Sequence, residues 1–546
     1  TGQVNGQIYM GVWGGNSGTL NIDKFENSGT MGQGVFFEGK NTNIQSFVNS
    51  GLISGSEGVK MVGGTIENFI NTRTIKSTGN TEPSNYIYVS SGVNLFGGII
   101  KTFTNEGLIS GIVGVSLTQS SIENFTNKGT IESTSSNKNA AAISLKTYYD
   151  GPSIIKSFIN EGNIKSKSNG ILAETGNKIE TLVNKGSIEA DLNGISFYDF
   201  DYGSGSKMEL GSIILEDGSS IKAGNNGINI DNGTSKDIEA DGIEVKQGAS
   251  VIGGNAGIAI GGGKEINTQI TISGEVSGGA AGIVNEGIIG GSSDDDKKGG
   301  IIISGGSVSS SSGGSGIVNQ GNGSIAGEIK VESGGSVEGG ITNTGSGSIS
   351  GNIVVENGGK LDSITNTSTS DTGISGSITN NSDNKLEISN SGNIGGKIES
   401  TGSADMVISN NNGGTISGGI SSSGSGNTSI SNSQGSTINN GITVSGSAQV
   451  EISNQGSVGK DDHGNTVTNN GSGSVGIKDW VVSTDKNTGK LDTVVVGGSG
   501  ANNVQVENIT VDQSNVNLEE LGNISNIISG VNQNNIGNIG TNGGGE

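Results

Sequence analysis

Hydrophobic positions recur along this chain with a period of two inside short segments. In NFTNKGTIES, Asn124 to Ser133, Phe125, Asn127, Gly129 and Ile131 share one parity, while Thr126, Lys128, Thr130 and Glu132 take the other. That is the alternation of a β-strand, one side for an interior and one for water. The same reading holds for Phe47, Asn49, Gly51 and Ile53, for Phe103, Asn105, Gly107 and Ile109, and for Phe158, Asn160, Gly162 and Ile164. A helix has no support, because glycine and asparagine at this density cost up to about 1 kcal/mol per residue relative to alanine.

The segment repeats. Aligned on its asparagine it places Asn27, Asn49, Asn71, Asn105, Asn127, Asn160 and Asn184 at spacings of 22, 22, 34, 22, 33 and 24, and Phe25, Phe47, Phe69, Phe103, Phe125 and Phe158 stand two residues before the first six. Strands this short, separated by Gly/Asn turns, cannot bury an apolar side alone, so copies must stack. The pattern predicts an all-β fold, a right-handed parallel β-helix (β-solenoid) with coils of about 22 residues. Each Phe would lie over the previous Phe at about 4.8 Å per coil, which for some twenty coils makes a rod on the order of 100 Å long. Asparagine at a fixed corner can bond neighbouring backbone, tolerate left-handed geometry and pair with the identical Asn above and below. A glycan-binding Asn row is the functional alternative, and the structural role is favoured over it. Arg73 stands where the other copies have glycine, and since a buried unpaired arginine is prohibitive, that corner is expected to be exposed.

All eleven phenylalanines lie between Phe25 and Phe200, and every tyrosine at or before Tyr202; beyond them the one aromatic residue is Trp480. The motif continues with Ile in the aromatic slot, as in Ile283-Val-Asn285-Glu-Gly287 and Ile452-Ser-Asn454-Gln-Gly456. The expectation is one solenoid whose register survives while its filler shrinks: aromatic-core coils with insertions over 1–202, notably 77–91 and 196–206, and slimmer Ile/Val-core coils over 203–476. Residues 477–529 then read as a C-terminal cap, with Trp480 and the Val494 to Val496 run as cap residues, because a last coil otherwise exposes apolar and unpaired backbone groups. The tail 530–546 reads as linker.

Composition sharpens this. Of 546 residues, 102 are Gly and two are Pro, and 30% are hydrophobic, too few for an ordinary globular core. Regularly spaced Ile and Val argue against disorder. The formal charge of −23, with Arg73 the single arginine, disfavours nucleic-acid binding. Absence of cysteine excludes disulfides and thiolate sites and fits export through an oxidising compartment. No apolar run approaches a membrane helix, and the opening TGQVNGQIYM carries no charged-then-apolar leader.

Candidate chemistry is sparse. His463 is the sole histidine and sits in the polar stretch KDDHGN, which argues against His-based catalysis. Carboxylate clusters of the kind that serve glycan-processing enzymes or calcium sites are Asp199 with Asp201, Asp294 to Asp296, and Asp461 with Asp462; each reads first as a solvated turn. No cofactor or metal is implied, and the chain is not expected to be an enzyme.

The repeated FxNxGxI and IxNxGxI coils, followed by a Trp-containing segment and VVVGGSGANNVQVENITVDQSN, resemble passenger domains of bacterial type V autotransporters, of the adhesin-like or vacuolating-toxin-like, Asn/Gly-rich kind. The resemblance implies a β-helix exported through the periplasm and outer membrane of a Gram-negative bacterium and displayed on, or released from, the cell. Its contact with a membrane would run only through a barrel outside this chain. It also implies that the Trp480 region is a folding-promoting cap. The expected function is an extracellular structural or adhesive rod that binds host or neighbouring cells, matrix or glycans, or self-associates. A secreted toxin of the vacuolating type and a glycan-processing β-helix enzyme are the alternatives.

Overall fold

The computed structural model describes residues 2–12, 18–83, 88–149, 151–174, 176–198, 208–230, 238–266, 269–290, 299–484, 490–512 and 527–542. The chain forms two compact units, residues 1–299 with 306–314, and residues 300–305 with 315–546. The change from aromatic to aliphatic filler near residue 203 falls inside the first.

The first unit is a parallel β-helix. One of its coils consists of Ser121–Asn127, Thr130–Ser133 and Ala141–Lys146, and the next of Ile154–Asn160, Asn163–Ser166 and Asn169–Glu174. The second lies on the first in parallel register, Phe125 on Phe158, Ile131 on Ile164 and Ile143 on Ile171. We number the three stacks of strands sheets 1, 2 and 3 in that order. Alternation explains sheet 2 directly: Ile53, Ile75, Ile109, Ile131, Ile164, Ile188 and Ile221 form one inward column, continued by Val251 and Val276. All are fully buried, each contributing roughly 1.5–3 kcal/mol.

Strict alternation fails once per coil in sheet 1. Ile122 and Phe125 both point inward, and the ladder pairs Ile122 with Ile155 and Asn124 with Ser157, passing over Glu123 and Lys156. The strand bends at that extra residue and turns its charge to solvent.

The expectation that the motif keeps its register past residue 203 is corrected. In sheet 1 Phe158 is followed by Leu182, Ile213, Ile243 and Ile270, and Asn184 by Leu215, Val245 and Ile272, so the asparagine column ends at Asn184. Asn285 closes a sheet 3 strand, Ala281–Asn285, and stacks on Ile260. The motif has moved to another corner, because an apolar residue, an asparagine and a glycine at alternate positions suit any place where a strand meets a turn.

The second unit is also a parallel β-helix. Strands ending at Asn319, Asn343, Asn366, Asn390, Asn410, Asn432 and Asn454 stack in register. Beyond Asn454 the same column holds Trp480, Ile509 and Ile539, with Lys478 as a one-residue bulge before Trp480. The linker expected over 530–546 is corrected in its described part, since Ile536–Asn542 pairs in parallel with Val504–Asp512.

Candidate functional site

The residues that the repeat singles out lie inside the coils. Phe47, Phe69, Phe103, Phe125 and Phe158 are at most 1% exposed and Phe25 is 6% exposed. Phe25, Phe47, Phe69 and Phe103 stack with centroids 4.5–5.0 Å apart and planes within 15°; the stack then tilts at Phe125 and becomes edge-on at Phe158.

The asparagines form a continuous amide column. Asn27, Asn49, Asn71, Asn105, Asn127 and Asn160 each donate from Nδ2 to Oδ1 of the next asparagine at 2.8 Å, ending on Asn184. The same Nδ2 of Asn127 donates to Gly129 O at 3.3 Å and Asn163 O at 3.2 Å, so a buried amide closes the corner of its own coil and clips it to the next. The second unit repeats the device from Asn319 to Asn454 with bonds of 2.8–3.0 Å. All these side chains are buried and leave no face to an external ligand.

Glycine follows because the corners nearly touch. A Cβ on Gly107, Gly129, Gly162 or Gly186 would lie 2.0–2.1 Å from the carbonyl oxygen of the corner below. Arg73 is exposed, as a corner residue should be. At its corner the Thr74 N–H reaches Gly51 O at 3.2 Å while the Leu108 N–H reaches Arg73 O at 2.6 Å, against 2.8 Å for Leu52 to Gly29 and Thr130 to Gly107, so the corner shifts toward the next coil.

The remaining sequence candidates separate. Trp480 is buried within the stack, with the strands of Ile509 and Ile539 beyond it. His463 is exposed. Asp461 spends its carboxylate on its own turn, accepting from the backbone N–H groups of His463 and Asn465 at 2.9 Å and from the Thr468 hydroxyl at 3.2 Å. Asp462 is exposed beside it. Among the described residues no three His, Cys, Asp or Glu side chains converge as a metal site would need. Asp199, Asp201 and Asp294 to Asp296 lie outside the described residues, as do 84–87 and 199–206 of the two expected insertions. The first insertion is anchored two coils away: Glu82 accepts from the Ser135 hydroxyl at 2.6 Å and Pro83 O from Asn137 Nδ2 at 3.5 Å.

Sequence reasoning missed the outward side of sheet 3 in the first unit. Tyr9, Phe36, Lys60, Asn94, Ser116 and Ser144 form one column along it, and Val62, Phe96, Thr118 and Lys146 the adjacent one. Tyr9 packs edge-on against Phe36 at 5.2 Å, and the Lys60 ammonium lies 5.4 Å from the Phe36 centroid and 5.5 Å from that of Tyr88. Phe96 meets Tyr148 at 5.3 Å, and Tyr148 meets Tyr149 at 4.3 Å. Both lysines are matched, Lys60 by Glu57 at 3.0 Å and Lys146 by Glu174 at 3.8 Å. Burial pushes the Glu174 carboxyl up from its ordinary pKa, and Lys146 offsets part of that shift. The available signal was that Tyr88 and the Tyr148–Tyr149 pair fall in the two coils of 34 and 33 residues.

The chain matches no protein-family model, no curated protein and no solved structure.

Proposed function

We propose that this chain is an extracellular, surface-displayed structural or adhesive protein of the autotransporter-passenger kind, which holds binding groups outward on β-helical coils and engages host or neighbouring cells, matrix or glycans. One observation carries the reading. The repeated residues are spent on the interior, while irregular aromatic residues gather on one outward side of the first unit, where Tyr88 is 64% and Tyr149 80% exposed. Loops and irregular groups on a rigid scaffold are where binding concentrates. Side-to-side association of copies through flat β faces belongs to the same reading.

The test is adhesion of the purified chain to cultured cells and to immobilised matrix and glycans, with light scattering over a concentration series. Saturable adhesion, or reversible concentration-dependent oligomers, is expected. A strict monomer that adheres to none of these surfaces overturns the proposal.

A further inference from the structure

We propose that the outward tyrosines on sheet 3 of the first unit form a binding strip for an uncharged polysaccharide chain. The inference rests on the adhesive reading above and names the chemistry of its ligand.

The exposed large apolar side chains of the described surface are few, and Tyr9, Tyr88 and Tyr149, all of its tyrosines, lie on this one side. Tyr9 stands two coils before Lys60, whose ammonium lies against Tyr88; Lys146, two residues before Tyr148, stands three coils beyond Lys60. The rings are thus strung along the coil axis over about 24 Å, at roughly 4.8 Å per coil. They do not merge into an apolar patch, because Lys60, Glu57 and Asn94 interrupt them, the Asn94 amide donating to the Glu57 carboxylate. Two small ring clusters, Tyr9 with Phe36 and Phe96 with Tyr148 and Tyr149, separated by polar groups and the Lys60–Tyr88 contact, suit a ligand that alternates C–H faces with hydroxyl rims, which is the surface of a sugar chain. They suit neither a lipid surface nor an apolar helix, each of which requires a continuous apolar face.

Charge selects within sugars. The chain as a whole carries −23, and the two lysines of the strip are already matched by Glu57 and Glu174. No net positive field greets an acidic polymer here, so the occupant is neutral.

A further observation sets the Tyr148–Tyr149 turn apart. Tyr149 holds φ at +50°, a left-handed backbone that a bulky residue rarely adopts, and presents its ring 80% exposed.

The experiment is isothermal titration of the full chain with cellohexaose, chitohexaose and maltohexaose, and with a sulfated heparin hexasaccharide, at low and high salt. Binding of at least one neutral hexasaccharide, insensitive to salt, is expected. Tyr88→Ala and Tyr149→Ala should each weaken it by about tenfold with an unchanged circular dichroism spectrum, and Ile252→Ala, an exposed apolar residue outside the strip, should not. Failure of all three neutral sugars, binding unaffected by both tyrosine variants, or salt-sensitive binding of the sulfated sugar alone overturns the proposal. A chain that adheres to cells but binds none of the neutral sugars sinks the strip and leaves adhesion standing. One that binds a neutral sugar but adheres to nothing sinks the adhesive reading and leaves the strip.

Discussion

Replacing an asparagine in the middle of the amide column should cost far more than replacing the one at its end. Asn127 accepts from Asn105 and donates to Asn160 Oδ1, each at 2.8 Å, and to two backbone carbonyls. In Asn127→Leu the Asn105 amide still reaches Gly107 O at 3.0 Å and Thr130 O at 3.2 Å, but the buried Asn160 Oδ1 loses the amide that donates to it. An orphaned buried acceptor costs about 1–3 kcal/mol and the lost carbonyl bonds about 1 kcal/mol more, a total of roughly 2–4 kcal/mol. Asn184 has no amide above it, since Leu215 follows in the column. Asn184→Leu therefore orphans no side-chain acceptor, and Asn160 Nδ2 keeps Gly162 O and Ser187 O at 3.2 Å; the loss is that of the Asn184 bonds to Gly186 O and Ser220 O, about 1 kcal/mol, offset in part by contact with Leu215. Shape does not separate the two variants, because Leu215, Val245 and Ile272 fill the same interior position in later coils. The assay is amide hydrogen exchange by mass spectrometry on peptides from 99–166 and 169–223, which reads local opening coil by coil. The difference of about 2 kcal/mol corresponds to roughly thirtyfold faster exchange around Asn127 than around Asn184. Equal effects, or a neutral Asn127→Leu, would refute the column as a source of stability.

Three other outcomes follow from the same geometry. Gly129→Ala puts a Cβ 2.0 Å from Gly107 O and should destabilise the first unit by about 1–3 kcal/mol, read as a lowered thermal midpoint by circular dichroism. Thr428→Val should stabilise the second unit by about 1–2 kcal/mol, read as a raised urea midpoint, because Thr428 is 2% exposed between Met406 and Val450 and its buried hydroxyl makes no hydrogen bond with any described residue. Glu174, whose carboxyl is raised by burial, binds its proton more tightly folded than unfolded. Its contribution to stability is therefore greatest below the unfolded value of about 4.3 and falls as pH rises through the higher folded value. Exchange in 169–174 should accelerate across that window, and Glu174→Gln should remove that dependence.

The β-helix was legible because its interior repeats: stacking identical coils puts Phe on Phe, Ile on Ile and Asn on Asn, and the spacing of those letters is the register itself. The bend at Glu123 was not, since a period-two reading carries Ile122 to the wrong side and only the inward pair Ile122 and Phe125 reveals the extra residue. The corner change at Asn285 was hidden for a related reason. Ile283-Val-Asn285 and Phe125-Thr-Asn127 present the same local pattern, and which of the sheets a segment joins depends on the residues between corners, whose lengths vary. The tyrosine strip was least legible, because Tyr9, Tyr88 and Tyr149 are far apart in sequence and come onto one side only when coils of unequal length are laid in register.

That strip also stands apart from the other outward surfaces of the same unit for an electrostatic reason. In a parallel stack identical residues lie about 4.8 Å apart, and like charges at that distance repel by roughly 1 kcal/mol even in water. Sheet 2 resolves this by alternation: Glu132, Lys165, Glu189 and Lys222 follow one another up one outward column. Sheet 1 does the same at its bend, where Lys101 lies 2.9 Å from Glu67 and Lys156 3.6 Å from Glu123; the hydrogen bond with Glu67 and the charges of Glu67 and Glu123 hold the Lys101 pKa above its ordinary value. Such columns lock neighbouring coils in register and cancel their own field, so they offer a partner little beyond hydrated charge. Sheet 3 sets rings and amides between its matched charges, with Tyr149 held at an unfavourable φ. Stacking alone asks for neither, and this departure from the repeat is the reason the proposed ligand is placed on sheet 3.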